Sequence, residues 1–254
     1  MQRWLKLGLV AVLSGCNLSV TESTPGMRTG DVLRVLFIGN SLTYSNDMPA
    51  IVEALADSAR LKGLAWGMIA YPDFALEDHW DQGDARAAIG EGWDYVVLQQ
   101  GPSSTPANRA NLILNTRRFE PLIRGVNARP ALFAPWPQIV NIGTLNASSI
   151  SYRLAADSVG GMLFPVSDAW RLAWEKDPTA PLYAGDGLHP SASGSYLAAL
   201  VIFQQLYQRT PVGLPPRVTL RLPGSPNIGV TASLAKTLQE AAVAANATVP
   251  AGQR

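Results

Sequence analysis

A three-layer α/β/α domain is the fold class that the sequence predicts, and three observations predict it. Short, continuous apolar runs alternate with segments of helical periodicity from Val32 to Tyr207. Runs of this kind suit strands covered on both faces, as in a parallel sheet flanked by helices. The chain has 254 residues, of which 47% are hydrophobic and 15% charged, enough apolar mass for one substantial core. Its net charge of +1 carries no electrostatic signature, so no nucleic-acid partner is expected.

Taken in order, Val32–Ile38 reads as the first strand, Pro49–Leu61 as a helix ending near Gly63, and Leu64–Ala70 as a second strand. A short helical stretch around Leu76–Ile89 precedes a third strand at Tyr95–Leu98. Next come a helix from about Ala107 to Ile123, a strand at Ala131–Ala134, a helix around Ile150–Val159 and a strand at Met162–Val166. Asp168–Glu175 and Ser191–Tyr207 complete the series as helices, with Ser191 as cap after Pro190. The expected architecture is a sandwich around a mostly parallel, flavodoxin-like, five-stranded sheet. From Pro215 the chain is proline-rich and then alanine-rich, so 215–254 reads as an extension with a peripheral helix at Ser233–Ala245. There are no internal repeats.

The amino terminus reads as a targeting segment, with positive charge at Arg3 and Lys6, an apolar core over Leu7–Leu13 and small residues after it. Leu13-Ser14-Gly15-Cys16 resembles the bacterial lipobox, in which the cysteine is lipidated and becomes the first mature residue. Residues 1–16 are therefore expected to be a lipoprotein signal peptide, and 17–30, polar and turn-rich, a flexible tether. Several acyl chains, at about 0.8 kcal/mol per buried methylene, hold a protein durably on a membrane. Asn17 after the cysteine resembles the outer-membrane sorting signal, which implies the periplasmic face of that membrane. Cys16 is the only cysteine, so no internal disulfide forms. No apolar stretch reaches the roughly 20 residues that span a bilayer.

Two motifs carry the chemistry. Gly39-Asn40-Ser41 alone is a turn or helix-cap signal, and Asp186-Gly187-Leu188-His189 alone is an ordinary loop. Together they supply a nucleophile, a base and an orienting carboxylate. A serine hydroxyl becomes a useful nucleophile when an imidazole takes its proton, and an acid fixes the tautomer of that imidazole. Ser41 follows its strand directly, at the sheet edge where ligands bind in such folds. The chain has only two histidines. His79 competes as base but lacks the aspartate spacing, and is otherwise a packing or substrate-binding residue. Trp80 and Trp136 are candidates for stacking on a sugar or lining an acyl pocket, or equally for core packing. Two distant histidines and one lipidated cysteine make no metal site.

These motifs resemble those of the SGNH (GDSL-type) hydrolases over most of residues 31–214. Val35-Leu36-Phe37-Ile38-Gly39-Asn40-Ser41-Leu42-Thr43 is similar to the family's first block, and Asp186-Gly187-Leu188-His189-Pro190-Ser191 to its last. The resemblance implies Ser41 as nucleophile, His189 as general base and then acid, and Asp186 as its orienting group. It also implies an oxyanion hole, to which the Ser41 amide contributes. The second block falls at Tyr71–Trp80, where Asp73 or Phe74 replaces the usual glycine. In the third, Gly101-Pro102-Ser103-Ser104, Ser103 replaces the usual asparagine, with Gln99 as an alternative amide donor. The implied function is a cofactor-free serine esterase forming an acyl-enzyme from O-acyl, including O-acetyl, groups, with a slight lean to carbohydrate esters. The alternatives are a lipase or lysophospholipase, and a catalytically weak glycan-binding lipoprotein.

Overall fold

A computed structural model describes residues 32–222, 224 and 227–254. The expected signal peptide 1–16, the lipidation residue Cys16 and the tether 17–30 lie outside the described residues.

Strand β1 (Val32–Gly39) runs into a single helical turn, α1 (Ser41–Tyr44), a 3-10 turn over Ser45–Asp47, and α2 (Met48–Ser58). After β2 (Gly63–Ala70) come two short helices, α3 (Leu76–Gln82) and α4 (Asp84–Ile89), where the periodicity suggests one. The break is Gly83, whose φ of +97° lies in the left-handed region and ends α3 with a bond from its N–H to the His79 carbonyl. Strand β3 (Tyr95–Leu98) leads to α5 (Pro106–Gly125), capped by Thr105 and begun by Pro106, whose missing N–H is not needed there. Then follow β4 (Arg129–Phe133), α6 (Leu145–Val159), β5 (Met162–Phe164), α7 (Val166–Lys176) and α8 (Ala192–Tyr207).

Two boundaries differ from the periodicity for physical reasons. Helix α6 starts five residues before Ile150, because its first turns are sealed by buried serines rather than apolar residues. Ser148 donates to the Pro135 carbonyl at 2.8 Å and Ser149 to Asp168 Oδ2 at 2.8 Å. Strand β5 stops at Phe164 because Pro165 has no N–H to continue a ladder.

All five main strands are parallel, in the order β2-β1-β3-β4-β5. The chain leaves β1 toward one edge and returns to β3 on the other side. The carboxyl ends of β1 and β3 therefore flank a topological switch point, where open α/β sheets form a crevice. Successive residues of each strand face opposite layers. Val35 and Phe37 enter the core shared with α2, α7 and α8, whereas Leu36 and Ile38 enter the core shared with α3, α4, α5 and α6. Two hydrophobic layers explain the unbroken apolar strands.

Beyond α8, β6 (Arg217–Val218) pairs antiparallel with β7 (Ile228–Gly229), and α9 (Ala232–Ala247) follows. The helix forms where the sequence places it, but it is not peripheral. Leu238, Ala241, Ala242 and Ala245 are fully buried in the same core as Trp170 and Phe203. Small side chains let α9 lie close against α7 and α8. Gln239, itself buried, donates to the Leu214 carbonyl at 2.8 Å, and Asn246 to the Val201 carbonyl at 3.2 Å. Helix α9 thus packs into the core rather than on its periphery.

Because α9 closes this core, Leu238→Ala should cost about 2–5 kcal/mol through cavity formation. Val212→Ala, at a site 55% exposed, should stay within about 0.5 kcal/mol. Urea unfolding of the two variants measures the difference; equal midpoints would mean that α9 contributes little.

Candidate active site

The end of β1 is held by a buried amide. Gln99, fully buried just past β3, accepts from the Asn40 N–H at 2.9 Å and from Thr43 Oγ1 at 2.7 Å through its Oε1. Its Nε2 donates to Asn40 Oδ1 at 3.0 Å and to the Gln100 carbonyl at 2.6 Å. A Cβ at position 39 would collide with Gln99 Oε1 and Thr43 Oγ1, so this contact requires glycine. Asn40 in turn caps α1, its Oδ1 accepting from the Leu42 N–H at 3.1 Å, while its Nδ2 donates to the Phe74 carbonyl at 3.0 Å. Ser41 is delivered as the first residue of that turn. Its own N–H has no hydrogen-bond partner among the described residues.

The second segment is a turn built on Asp186. Its Oδ1 accepts from the backbone N–H groups of Leu188 and His189, each at 2.9 Å, and its Oδ2 accepts from His189 Nδ1 at 2.6 Å. The His189 bond first, and the two backbone bonds after it, hold the Asp186 carboxyl down to about 2. Donation from Nδ1 leaves Nε2 of the neutral ring as an acceptor. Gly187 takes a φ of +66° in this turn, and its carbonyl accepts from the Ile139 N–H at 2.8 Å.

Both segments reach one cleft of about 430 Å³, lined by Ser41 and Leu188 together with Asp73, Phe74, Gln100 and Ser103. The structure thus brings Ser41 to the edge of the Asp186–His189 turn. No hydrogen bond joins Ser41 Oγ to His189, and of the turn Leu188, not Asp186 or His189, lines the cleft.

The other expected oxyanion donors divide. Asp73 lines the cleft at a φ of +59°, and its N–H has no partner among the described residues. The Phe74 N–H is turned back to the Tyr71 carbonyl at 3.4 Å. Gln99 does not serve as a donor, since both of its amide hydrogens are already given to Asn40 and Gln100. Nor does Ser103, which is buried, donates to the Gly101 carbonyl at 3.0 Å and accepts from Gln100 Nε2 at 2.9 Å. Sequence reasoning missed Gln100, which lines the cleft in place of its neighbour. The signal was the Gln99-Gln100 pair itself, since adjacent residues leaving a strand face opposite ways.

The three expected substrate-binding aromatic residues lie elsewhere. His79 is only 1% exposed, packs beside Tyr71 and Phe74, and donates from Nε2 to the Gly39 carbonyl at 2.7 Å. It clamps the end of β1 rather than facing the cleft. Burial holds its pKa below the ordinary imidazole value and keeps it neutral. Trp80 packs edge-on against Phe119 with the Arg118 and Arg86 guanidinium groups over its ring, and does not line the cleft. Trp136 is fully buried, stacked on Trp170 at 4.0 Å, and donates to the Leu188 carbonyl at 3.0 Å. It supports the His189 turn from behind.

No family model matches the chain, and no curated protein matches it. Among solved structures it is similar to a candidate SGNH hydrolase from Slackia heliotrinireducens, at 26% identity and a TM-score of 0.58 over 69% of this chain and 99% of the other. It is also similar to a DUF4886 family protein from Bacteroides uniformis, at 18% identity and 0.71 over 86% and 96%. A third is an acetyl-xylooligosaccharide esterase, in mutant form, from Geobacillus stearothermophilus, at 15% identity and 0.51 over 69% and 93%. The fold is that of the SGNH hydrolases.

The neutral, buried state of His79 makes folding pH-dependent. In the unfolded chain an imidazole takes up its proton near pH 6.5, whereas the folded one resists it. As pH falls below about 6.5 the unfolded state binds the more protons, and stability declines. His79→Gln retains a donor for the Gly39 carbonyl without the titration, so it should flatten this decline. Urea midpoints at about pH 7.5 and pH 5 check it; an unchanged slope in the variant would assign the effect to another group.

Proposed function

We propose that this chain is an SGNH-type serine esterase in which Ser41, His189 and Asp186 act as nucleophile, base and orienting acid. The observation that carries the reading is the 2.6 Å bond from His189 Nδ1 to Asp186, on a turn whose Leu188 lines the same cleft as Ser41. Ser41 Oγ attacks the carbonyl carbon of an ester as His189 Nε2 takes the hydroxyl proton. Negative charge then gathers on the carbonyl oxygen, within reach of two unpaired donors of the cleft, the N–H groups of Ser41 and Asp73. Collapse expels the alcohol, which receives its proton from His189, and leaves an acyl group on Ser41. Water, deprotonated by His189, attacks that acyl carbon and releases the carboxylic acid, restoring Ser41. Asp186 stays ionised through the cycle and holds the tautomer.

The ester is read as an O-acyl, including O-acetyl, group on a carbohydrate. The cleft's lining includes Asn108 and Asn111, whose carboxamides suit the hydroxyl groups of a sugar, beside the apolar Leu42, Phe74, Pro102 and Leu188. The likeness in fold to an acetyl-xylooligosaccharide esterase is consistent with this class. Leu13-Ser14-Gly15-Cys16 and Asn17 support a lipid anchor at Cys16 and a place at the periplasmic face of the outer membrane.

A fluorophosphonate probe should label the protein and not its Ser41→Ala variant. His189→Ala and Asp186→Asn should each lower turnover of p-nitrophenyl acetate by more than about a hundredfold. Folded protein that resists labelling while still binding glycan would replace the esterase by a binding protein. Separately, Cys16→Ser should move the protein from the membrane to the soluble fraction; retention on membranes would overturn the anchor.

A further inference from the structure

The turn after Ser41 contains a residue for which the reaction outlined above has no role. Asn46 lies in the left-handed region, at φ 56° and ψ 25°, a conformation that asparagine tolerates better than most residues. From there its Nδ2 donates twice. One bond goes to the carbonyl of Pro190, the residue after His189, at 3.0 Å, and the other to Ser195 Oγ in the first turn of α8, at 2.9 Å. Ser195 closes the link by donating to the Ser45 carbonyl at 3.4 Å. Other supports of the His189 turn come from elsewhere: Trp136 holds the Leu188 carbonyl, the Ile139 N–H holds that of Gly187, and the Ala184 N–H holds that of His189 at 2.8 Å. None of these belongs to the segment that carries Ser41. Asn46 does, and it reaches Pro190 and Ser195 across 144 and 149 residues of sequence.

We propose that Asn46 is a positioning residue that sets the separation and orientation of Ser41 and His189. This rests on the esterase reading given above. Asn46 stands five residues after the nucleophile and binds the carbonyl next to the base, so one planar amide spans the two halves of the reacting pair. A displacement of about 1 Å between such groups can cost a hundredfold in rate. The residue type follows from the chemistry. The Pro190 carbonyl can only accept and so needs an N–H donor, which aspartate lacks, and the left-handed backbone disfavours most longer side chains.

The test uses the full chain and p-nitrophenyl acetate. Asn46→Gly keeps the backbone conformation and removes the donor, and should lower kcat by about ten- to a hundredfold with KM changed by less than about threefold. Fluorophosphonate labelling of Ser41 should slow in parallel, with the thermal midpoint showing a folded protein. Asn46→Asp should lose activity in the same direction, and it supplies the comparison if the glycine variant does not fold. Because Asn46 acts through the base, adding Asn46→Gly to His189→Ala should cause no further loss. Wild-type kcat in Asn46→Gly, or a fully additive loss in the double variant, would overturn the proposal. Activity retained in Ser41→Ala would instead overturn the esterase reading.

Discussion

The carboxamide of Gln99 joins the two strands between which the cleft opens, and every hydrogen-bonding capacity it has is used to do so. Its Oε1 takes the Asn40 N–H and the Thr43 hydroxyl, and its Nε2 satisfies Asn40 Oδ1 and the Gln100 carbonyl. Leaving any one of these buried partners unmatched costs about 1–3 kcal/mol, so the cluster is held in one arrangement. Gly39 permits the contact by having no side chain, and His79 holds its carbonyl from the opposite side. The backbone of Ser41 is thus fixed from behind by Gln99, Thr43 and His79, none of which lines the cleft. A buried polar network of this sort gives rigidity only when complete, as it is here apart from His79 Nδ1.

The same logic supports the other half of the site with aromatic packing. Trp136 stacks nearly parallel on Trp170, whose ring meets Trp174 and Tyr183 edge-on. Such pairs are worth about 0.5–1.5 kcal/mol each beyond the area they bury. The Trp136 N–H then fixes the Leu188 carbonyl, and the Tyr183 hydroxyl donates to the carbonyl of Pro137. Helix α8 follows immediately, its Ser191 cap taking the N–H groups of Ser193 and Gly194. Gly194 has no Cβ because the Leu182 carbonyl and Trp170 occupy that space. The loop is exposed at its tip and rigid at its base.

Those parts of the architecture that depend on local pattern were legible in the sequence. Strands β1, β2 and β3 were recognisable because both faces of each are apolar, and the bond between Asp186 and His189 because the two stand three residues apart in a turn. What was not legible depends on where a side chain ends up in three dimensions. For His79, Trp80 and Trp136 one dimension leaves packing and substrate binding open, and three dimensions decide for packing: burial behind the sheet edge turns two of them into supports, and arginine stacking holds the third. Gln99 and Gln100 differ by one position, and the end of the strand sends one into the core and the other into the cleft. Helix α9 was visible, but alanine is a weak signal of burial, so its place in the core was not.

The Asp186–His189 pair is solvent-exposed, with side-chain exposures of 50% and 36%. Burying a carboxylate and its hydrogen-bond donor strengthens the bond but carries a desolvation cost that can exceed the gain. An exposed pair avoids that cost and loses field strength to water and salt instead. Here the loss is offset by geometry: three N–H donors converge on one carboxylate, two of them backbone groups of the turn itself. The orientation of the imidazole is thus set by covalent closeness, within four residues of chain, rather than by a low-dielectric enclosure. Low dielectric is left for the substrate to supply when it covers the cleft.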